Sequence, residues 1–261
     1  MDGAETVCPA TAEVSPRIHG IVTCCSDSGG NLRVSAVTSR RKRKEQHMRE
    51  VFQQELENVQ NGLVHSADLV LESITNAVNA FTNTEIGLAE TVISADPEID
   101  RSVLELDEQA IQILARQQPV ARDLRIVVSA LRISASLERM GDIAEHIAQL
   151  ARYRYPDKAI PKGLRPVFKQ MGALDIAMAQ KARDLLDTYD EKLVEEIFDM
   201  EAKLDELHLA VFDKVLSEAW AGEVLATVDA TLASRYHERF GDHAVSIAKK
   251  VQYLSTGNWN A

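Results

Sequence analysis

Two carboxylates four residues apart recur at matching places in this chain, in Glu138-Arg139-Met140-Gly141-Asp142 and again in Glu238-Arg239-Phe240-Gly241-Asp242. On a helix, side chains at i and i+4 share a face with Cβ atoms about 5–6 Å apart, so each pair can offer oxygens to one cation. Ala144 and Ile147-Ala148 reappear as Ala244 and Ile247-Ala248, which makes the acidic tag part of a longer internal repeat. A second acidic spacing precedes each tag: Asp96 with Asp100, and Glu201 with Asp205. Both stand one residue past apolar positions, Ala95 and Ile99 in the first case and Met200 and Leu204 in the second. Each half therefore sets two acidic pairs beside an apolar face: Asp96, Asp100, Glu138 and Asp142, then Glu201, Asp205, Glu238 and Asp242. Four carboxylates brought close together repel unless a cation lies among them. An all-oxygen set suits hard ions such as magnesium, manganese or iron better than a thiolate-type zinc site.

Other residues sharpen or limit this reading. Asp96 precedes Pro97, a pairing that fits a kink or a helix start capped by Asp96. His243 follows Asp242, but Ile143 is its counterpart, and His237 falls on an apolar seam, as a satisfied core histidine would. Asp205 and His208 have the spacing of half a di-iron carboxylate–histidine motif, although Val103 stands at the matching place in the first half. A di-metal carboxylate enzyme is thus the alternative to a binding function. Arg139 and Arg239 can pair with the neighbouring acids or meet a phosphate. Gly141 and Gly241 each cost a helix about 1 kcal/mol relative to alanine, so their repetition predicts a close approach to the backbone there. The chain carries no P-loop, dinucleotide fingerprint or serine elbow.

The elements that position these acids are helices. Apolar periodicity predicts six, near 49–80, 84–117, 120–153, 163–188, 190–218 and 222–255. Asn83-Thr84 and Thr188 offer N-cap oxygens, Gln118-Pro119 ends the second helix and Gly222 separates the last two. The longest break, 153–163, holds Pro156, Pro161 and Gly163 and reads as the boundary between halves. In the third helix Ile126, Ala130, Ile133, Leu137, Met140, Ala144, Ile147 and Ala151 recur in steps of four and three. In the sixth, Ala226, Ala230, Ala233, His237, Phe240, Ala244, Ile247, Val251 and Leu254 do the same, as the seam of a shallow helix crossing requires. At about 100° per residue the acidic pairs point away from that seam, toward the bundle exterior. On the same outer side Leu124, Val128, Leu131 and Ala135 form an apolar row that predicts a covered interface.

The resulting fold class is all-α: two tandem antiparallel three-helix bundles, 48–155 and 160–257, related by a pseudo-twofold internal repeat. Residues 1–47 read differently. They hold Cys8, Cys24 and Cys25, end in Arg40-Arg41-Lys42-Arg43-Lys44 and show no sustained periodicity, so a disordered leader is expected there, with Met48 as an alternative start. The cysteine-free body has no disulfide framework and suits a reducing compartment. The whole chain's net charge of −11 argues against broad nucleic-acid binding and agrees with cations or a basic partner.

The sequence resembles the PhoU family of phosphate-transport accessory regulators across 48–257. The residues that carry the resemblance are Pro119-Val120-Ala121-Arg122-Asp123-Leu124-Arg125, the Glu138 tag with Ile143-Ala144-Glu145-His146-Ile147-Ala148, the Glu238 tag with His243-Ala244, and the closing Val251-Gln252-Tyr253-Leu254-Ser255-Thr256-Gly257. The resemblance implies multinuclear metal clusters at the bundle surface, iron or zinc, with magnesium or manganese as further options, held by the eight acids named above. It implies a cytoplasmic regulator rather than an enzyme, one that restrains phosphate uptake and the phosphate-starvation response. Its implied partners are the ATPase subunit of the phosphate transporter, a phosphate-sensing histidine kinase and a second copy of itself. Nucleic acid is not among them, and membranes are reached only through partners.

Overall fold

The computed structural model describes residues 31–220 and 222–258. Six helices occupy them: α1 (Asn31–Asn83), α2 (Ile86–Gln117), α3 (Arg122–Arg154), α4 (Arg165–Thr188), α5 (Glu191–Val215) and α6 (Val224–Thr256). No strand occurs among the described residues. The fold is all-α, with α1–α3 and α4–α6 as tandem three-helix bundles inside one compact unit, Met48–Ala261. A separate unit spans Met1–His47, and the expected leader is helical from Asn31 onward. No glycine or proline interrupts 31–47, and its Arg-Arg-Lys-Arg-Lys-Glu-Gln run consists of good helix formers. The rest of that leader, including all three cysteines, lies outside the described residues.

The helix ends differ from the expected caps. Glu85, not Asn83 or Thr84, precedes α2, because Thr84 takes a positive φ of 67° and turns its N–H back to the Ala80 carbonyl. At α5 the cap is Asp190, whose carboxylate accepts from the Lys192 N–H, while the Thr188 hydroxyl accepts from the Asp190 N–H. In both places the preceding helix ends in a left-handed residue, Thr84 or Tyr189, and the next helix can start only after it.

Burial follows the seam. In α3 Ala130, Ile133, Leu137, Met140, Ala144, Ile147 and Ala151 are buried, and in α6 Ala230, Ala233, His237, Phe240, Ala244, Ile247 and Val251 are. Ile126, Ala226 and Leu254, near the helix ends, are half-buried. A second buried row, Ser134, Gly141 and Ala148 in α3 with Ser234, Gly241 and Ala248 in α6, turns toward the neighbouring helix of its own bundle: Ser134 bonds Asp107 and Gly141 meets Ile99 of α2, while Ser234 bonds His208 and Gly241 meets Leu204 of α5. A further side of α3 and α6, which carries Ser136 and Ser246, brings these two helices onto each other. They run antiparallel. Ser136 Oγ lies 3.5 Å from Ser246 Oγ, His146 stacks on Tyr236 at 5.2 Å, and Arg154 Nη2 donates to Asp229 Oδ1 at 2.9 Å. The 100-residue offset of the repeat carries the Ser136–Ser246 contact onto the His146–Tyr236 one, so the α3–α6 seam is itself pseudo-twofold.

The two bundles meet a second time through α1 and α4. Phe81 and Phe168 touch edge to face at 5.7 Å, and Arg183 Nε donates to Asp68 Oδ1 at 2.9 Å. Between them Val78 presses on Gly172, where an added Cβ would sit 2.5 Å from Val78 Cγ1. Val78 is β-branched and stiff at χ1, so it cannot swing aside cheaply. Gly172→Ala is expected to cost about 1–3 kcal/mol by overpacking this crossing. Gly87→Ala, where nothing lies within 4 Å, should instead gain about 0.5–1 kcal/mol. Urea unfolding of both variants measures the contrast.

Candidate metal centre

Two glycines and two aliphatic side chains set the geometry of the acidic residues. A Cβ on Gly141 would lie 3.1 Å from Ile99 Cδ1, and one on Gly241 would lie 2.7 Å from Leu204 Cδ2. The repeated glycines thus admit α2 close to α3 and α5 close to α6. Ile99 and Leu204 are the residues immediately before Asp100 and Asp205, so this close packing draws each outer acidic pair toward the tag facing it.

In the first half the convergence is tight. Carboxylate oxygens of Asp96, Asp100 and Asp142 all lie within 4.8 Å of one another, the one such trio among the described residues. Asp96 and Asp142 are half-buried and Asp100 is exposed, which places the trio on the outer side of the bundle. Burial, reinforced by the charges of Glu145, Asp100, Asp142 and Glu138, pushes the Asp96 carboxyl up to about 6. Pro97 neither ends nor restarts α2, so Asp96 is a mid-helix acid and not a cap. Glu138 stands outside the trio but within electrostatic reach of Asp96. Glu145 does too, and it was not among the expected ligands. Its spacing of seven from Glu138 is the signal for it, obscured because Val245 stands at the repeat position. Arg139 Nη1 binds Asp142 Oδ2 at 2.6 Å and tempers the negative charge.

The second half is looser. Burial raises the Glu201 and Glu238 carboxyls, with Asp205 and Asp242 adding to both shifts. Asp205 and Asp242 are exposed, and Glu238 pairs with Arg235 through Oε1. The other oxygen, Glu238 Oε2, is buried and has no hydrogen-bond partner. Burial and the Arg239 charge push the His243 imidazole down. His208 is held through Nδ1, 2.8 Å from Ser234 Oγ, and it joins no trio of converging ligand atoms among the described residues. His237 is a core histidine: its Nδ1 sits 2.5 Å from Asp175 Oδ2, in a pair buried between α6 and α4.

The residues fit a hard cation best in the first half. Three oxygens converge there, and one of their owners keeps its proton well above the ordinary carboxylate range when no cation balances it. In the second half the orphaned Glu238 Oε2 is the feature that a cation would satisfy.

Known proteins resemble this chain over most of its length. A family model described as the PhoU domain matches residues 63–151 and again 168–251, spans that contain all eight acids. The "Phosphate-specific transport system accessory protein PhoU homolog 2" of Mycobacterium tuberculosis is 34% identical over 210 residues, covering 80% of this chain and 99% of that protein. The Pseudomonas aeruginosa PhoU homolog is 30% identical over 213 residues, covering 81% of this chain and 88% of the relative. The crystal structure of PhoU from Pseudomonas aeruginosa superposes with a TM-score of 0.73 at 30% identity, over 79% of this chain and 100% of that one. The Streptococcus pneumoniae phosphate transport system regulatory protein PhoU, at 22% identity, has the same fold with a TM-score of 0.71, over 79% of this chain and 98% of that one.

Asp96 makes the charge crowding measurable. The folded chain holds its proton up to about pH 6 against an ordinary value of 3.8, so stability from this group is greatest in acid and is lost as pH rises across that interval. Asp96→Asn removes the charge. In urea unfolding with a chelator present, the variant should be more stable than the parent above about pH 6, and the difference should vanish below about pH 4.

Proposed function

This chain belongs to the PhoU family, and on that basis we propose that it is a cytoplasmic, non-catalytic negative regulator of phosphate uptake and of the phosphate-starvation response. In this reading it links the ATPase subunit of a phosphate transporter to a phosphate-sensing histidine kinase and works as a homodimer. The observation that carries the reading is its match, over nearly their full length, to relatives named as accessory proteins of the phosphate-specific transport system. No helix among the described residues is long and apolar enough to cross a membrane, so contact with the transporter runs through surfaces. The outer side of α3 and α6 supplies apolar ones, with Leu124, Leu225, Val228 and Leu232 exposed. Exposed apolar rows of this kind are what partner surfaces bury.

Metal belongs to the same reading. Asp96, Asp100 and Asp142, with Glu138 and Glu145 beside them, would hold cations in the first half; Glu201, Asp205, Glu238 and Asp242 would hold them in the second. The donor set is all oxygen, which suits iron, manganese or magnesium, and zinc also accepts carboxylates. A bound cation supplies charge neutralisation. It stabilises each outer helix against its neighbour and shapes the face that partners meet.

Elemental analysis of protein purified without chelator tests the metal part. The parent should carry metal, Asp96→Ala with Asp100→Ala should lose most of the first-half share, and Glu238→Ala with Asp242→Ala most of the second. Equal content in all three removes these residues from the sites. The regulatory part is tested in cells with ample phosphate, where loss of the protein should raise phosphate uptake. Affinity capture from solubilised membranes should recover the transporter ATPase or the kinase. Unchanged uptake together with capture of neither would refute the role.

A further inference from the structure

At the end of α1, where the 155–164 connection passes the start of α4, the surface opens into a cavity of about 420 Å³. That volume falls in the range of small-molecule pockets, about 300–1,000 Å³. Its inner wall is apolar and firm: Phe81, Ile160 and Phe168 are all buried, and the two rings brace each other edge to face. Lys158, Arg165 and Lys169 line the cavity, and no carboxylate does. None of these three cations makes an ion pair among the described residues, while Arg165 Nε is held by the Ile160 carbonyl at 3.2 Å. In a chain of net charge −11, three unpaired cations around one hollow reverse the local field. Gathering like charges is unfavourable until an anion joins them. The first turn of α4 adds the positive end of its helix dipole at the same place.

We propose that this cavity binds a small phosphorylated organic molecule, its phosphoryl groups against Lys158, Arg165 and Lys169 and an apolar, ring-like body against Phe81, Ile160 and Phe168. Three cations match a multiply charged phosphoryl group better than a single carboxylate, and the guanidinium fork of Arg165 fits phosphate oxygens. A bare oxyanion would leave the apolar wall and most of the volume unused. The site draws on none of the eight acids, so it stands or falls apart from the metal reading.

Isothermal titration of the full chain with adenosine diphosphate is the test, with inorganic phosphate and glucose 6-phosphate as parallel probes. Adenosine diphosphate should bind, and each of the other two should bind at least about tenfold more weakly for want of an apolar body. Lys158→Glu with Lys169→Glu should weaken binding by about tenfold or more. Both lysines are exposed, so helicity and thermal midpoint should match the parent. If that variant misfolds, Lys158→Gln with Lys169→Gln replaces it and should weaken binding in the same direction. The proposal is overturned by failure of adenosine diphosphate to bind, by binding that survives the substitutions, or by either parallel probe binding as tightly.

Discussion

Close helix packing against charge repulsion governs this molecule. Ile99 lies over the bare backbone of Gly141 and Leu204 over that of Gly241, and each contact forces carboxylates on neighbouring helices together. Two unit charges 4 Å apart oppose one another by about 1 kcal/mol in water and about 4 kcal/mol at an effective dielectric of 20. A fully buried leucine or isoleucine returns about 1.5–3 kcal/mol. Several such side chains must therefore act together to hold one acidic cluster, and the long seams of α3 and α6 provide them. Substituting the glycines would relieve the repulsion by separating the helices, at the expense of the cluster.

The two clusters are unequal despite their common pattern. Asp96, Asp100 and Asp142 form a gathered trio, whereas Glu238 pairs with Arg235 and both Asp205 and Asp242 are exposed. The neighbours differ between the halves: Ala135 stands where Arg235 does, and Glu145 where Val245 does. Three of the four acids match across the halves, but Asp96 has the longer Glu201 as its counterpart. Ligand identity and local surroundings therefore both separate the two sets.

Much of this was legible in the residues. Steps of four and three marked the seams of α3 and α6, and the six helices lie where apolar periodicity placed them, apart from the earlier start of α1. The close approach implied by Gly141 and Gly241 is made by Ile99 and Leu204. What stayed hidden depended on contacts between distant segments. Ser136, Ser246 and Asp229 are covered only because α3 and α6 pack on each other, and a one-helix pattern cannot reveal that partner. Asp96 looked compromised by Pro97, yet the helix runs through the proline and Asp96 stands within the gathered trio. Caps at Asn83-Thr84 and Thr188 failed because a left-handed residue closes the preceding helix first, a choice set by how tightly the chain must reverse.

The double junction of α3 with α6 and of α1 with α4 merges the halves into a single hydrophobic body. Neither bundle can melt without stripping apolar surface from the other, so heat or urea should take both apart in one transition. Occupancy at one end then raises the free energy of opening everywhere, through mass action alone. Distant faces of the molecule can communicate in this way while no atom between them moves.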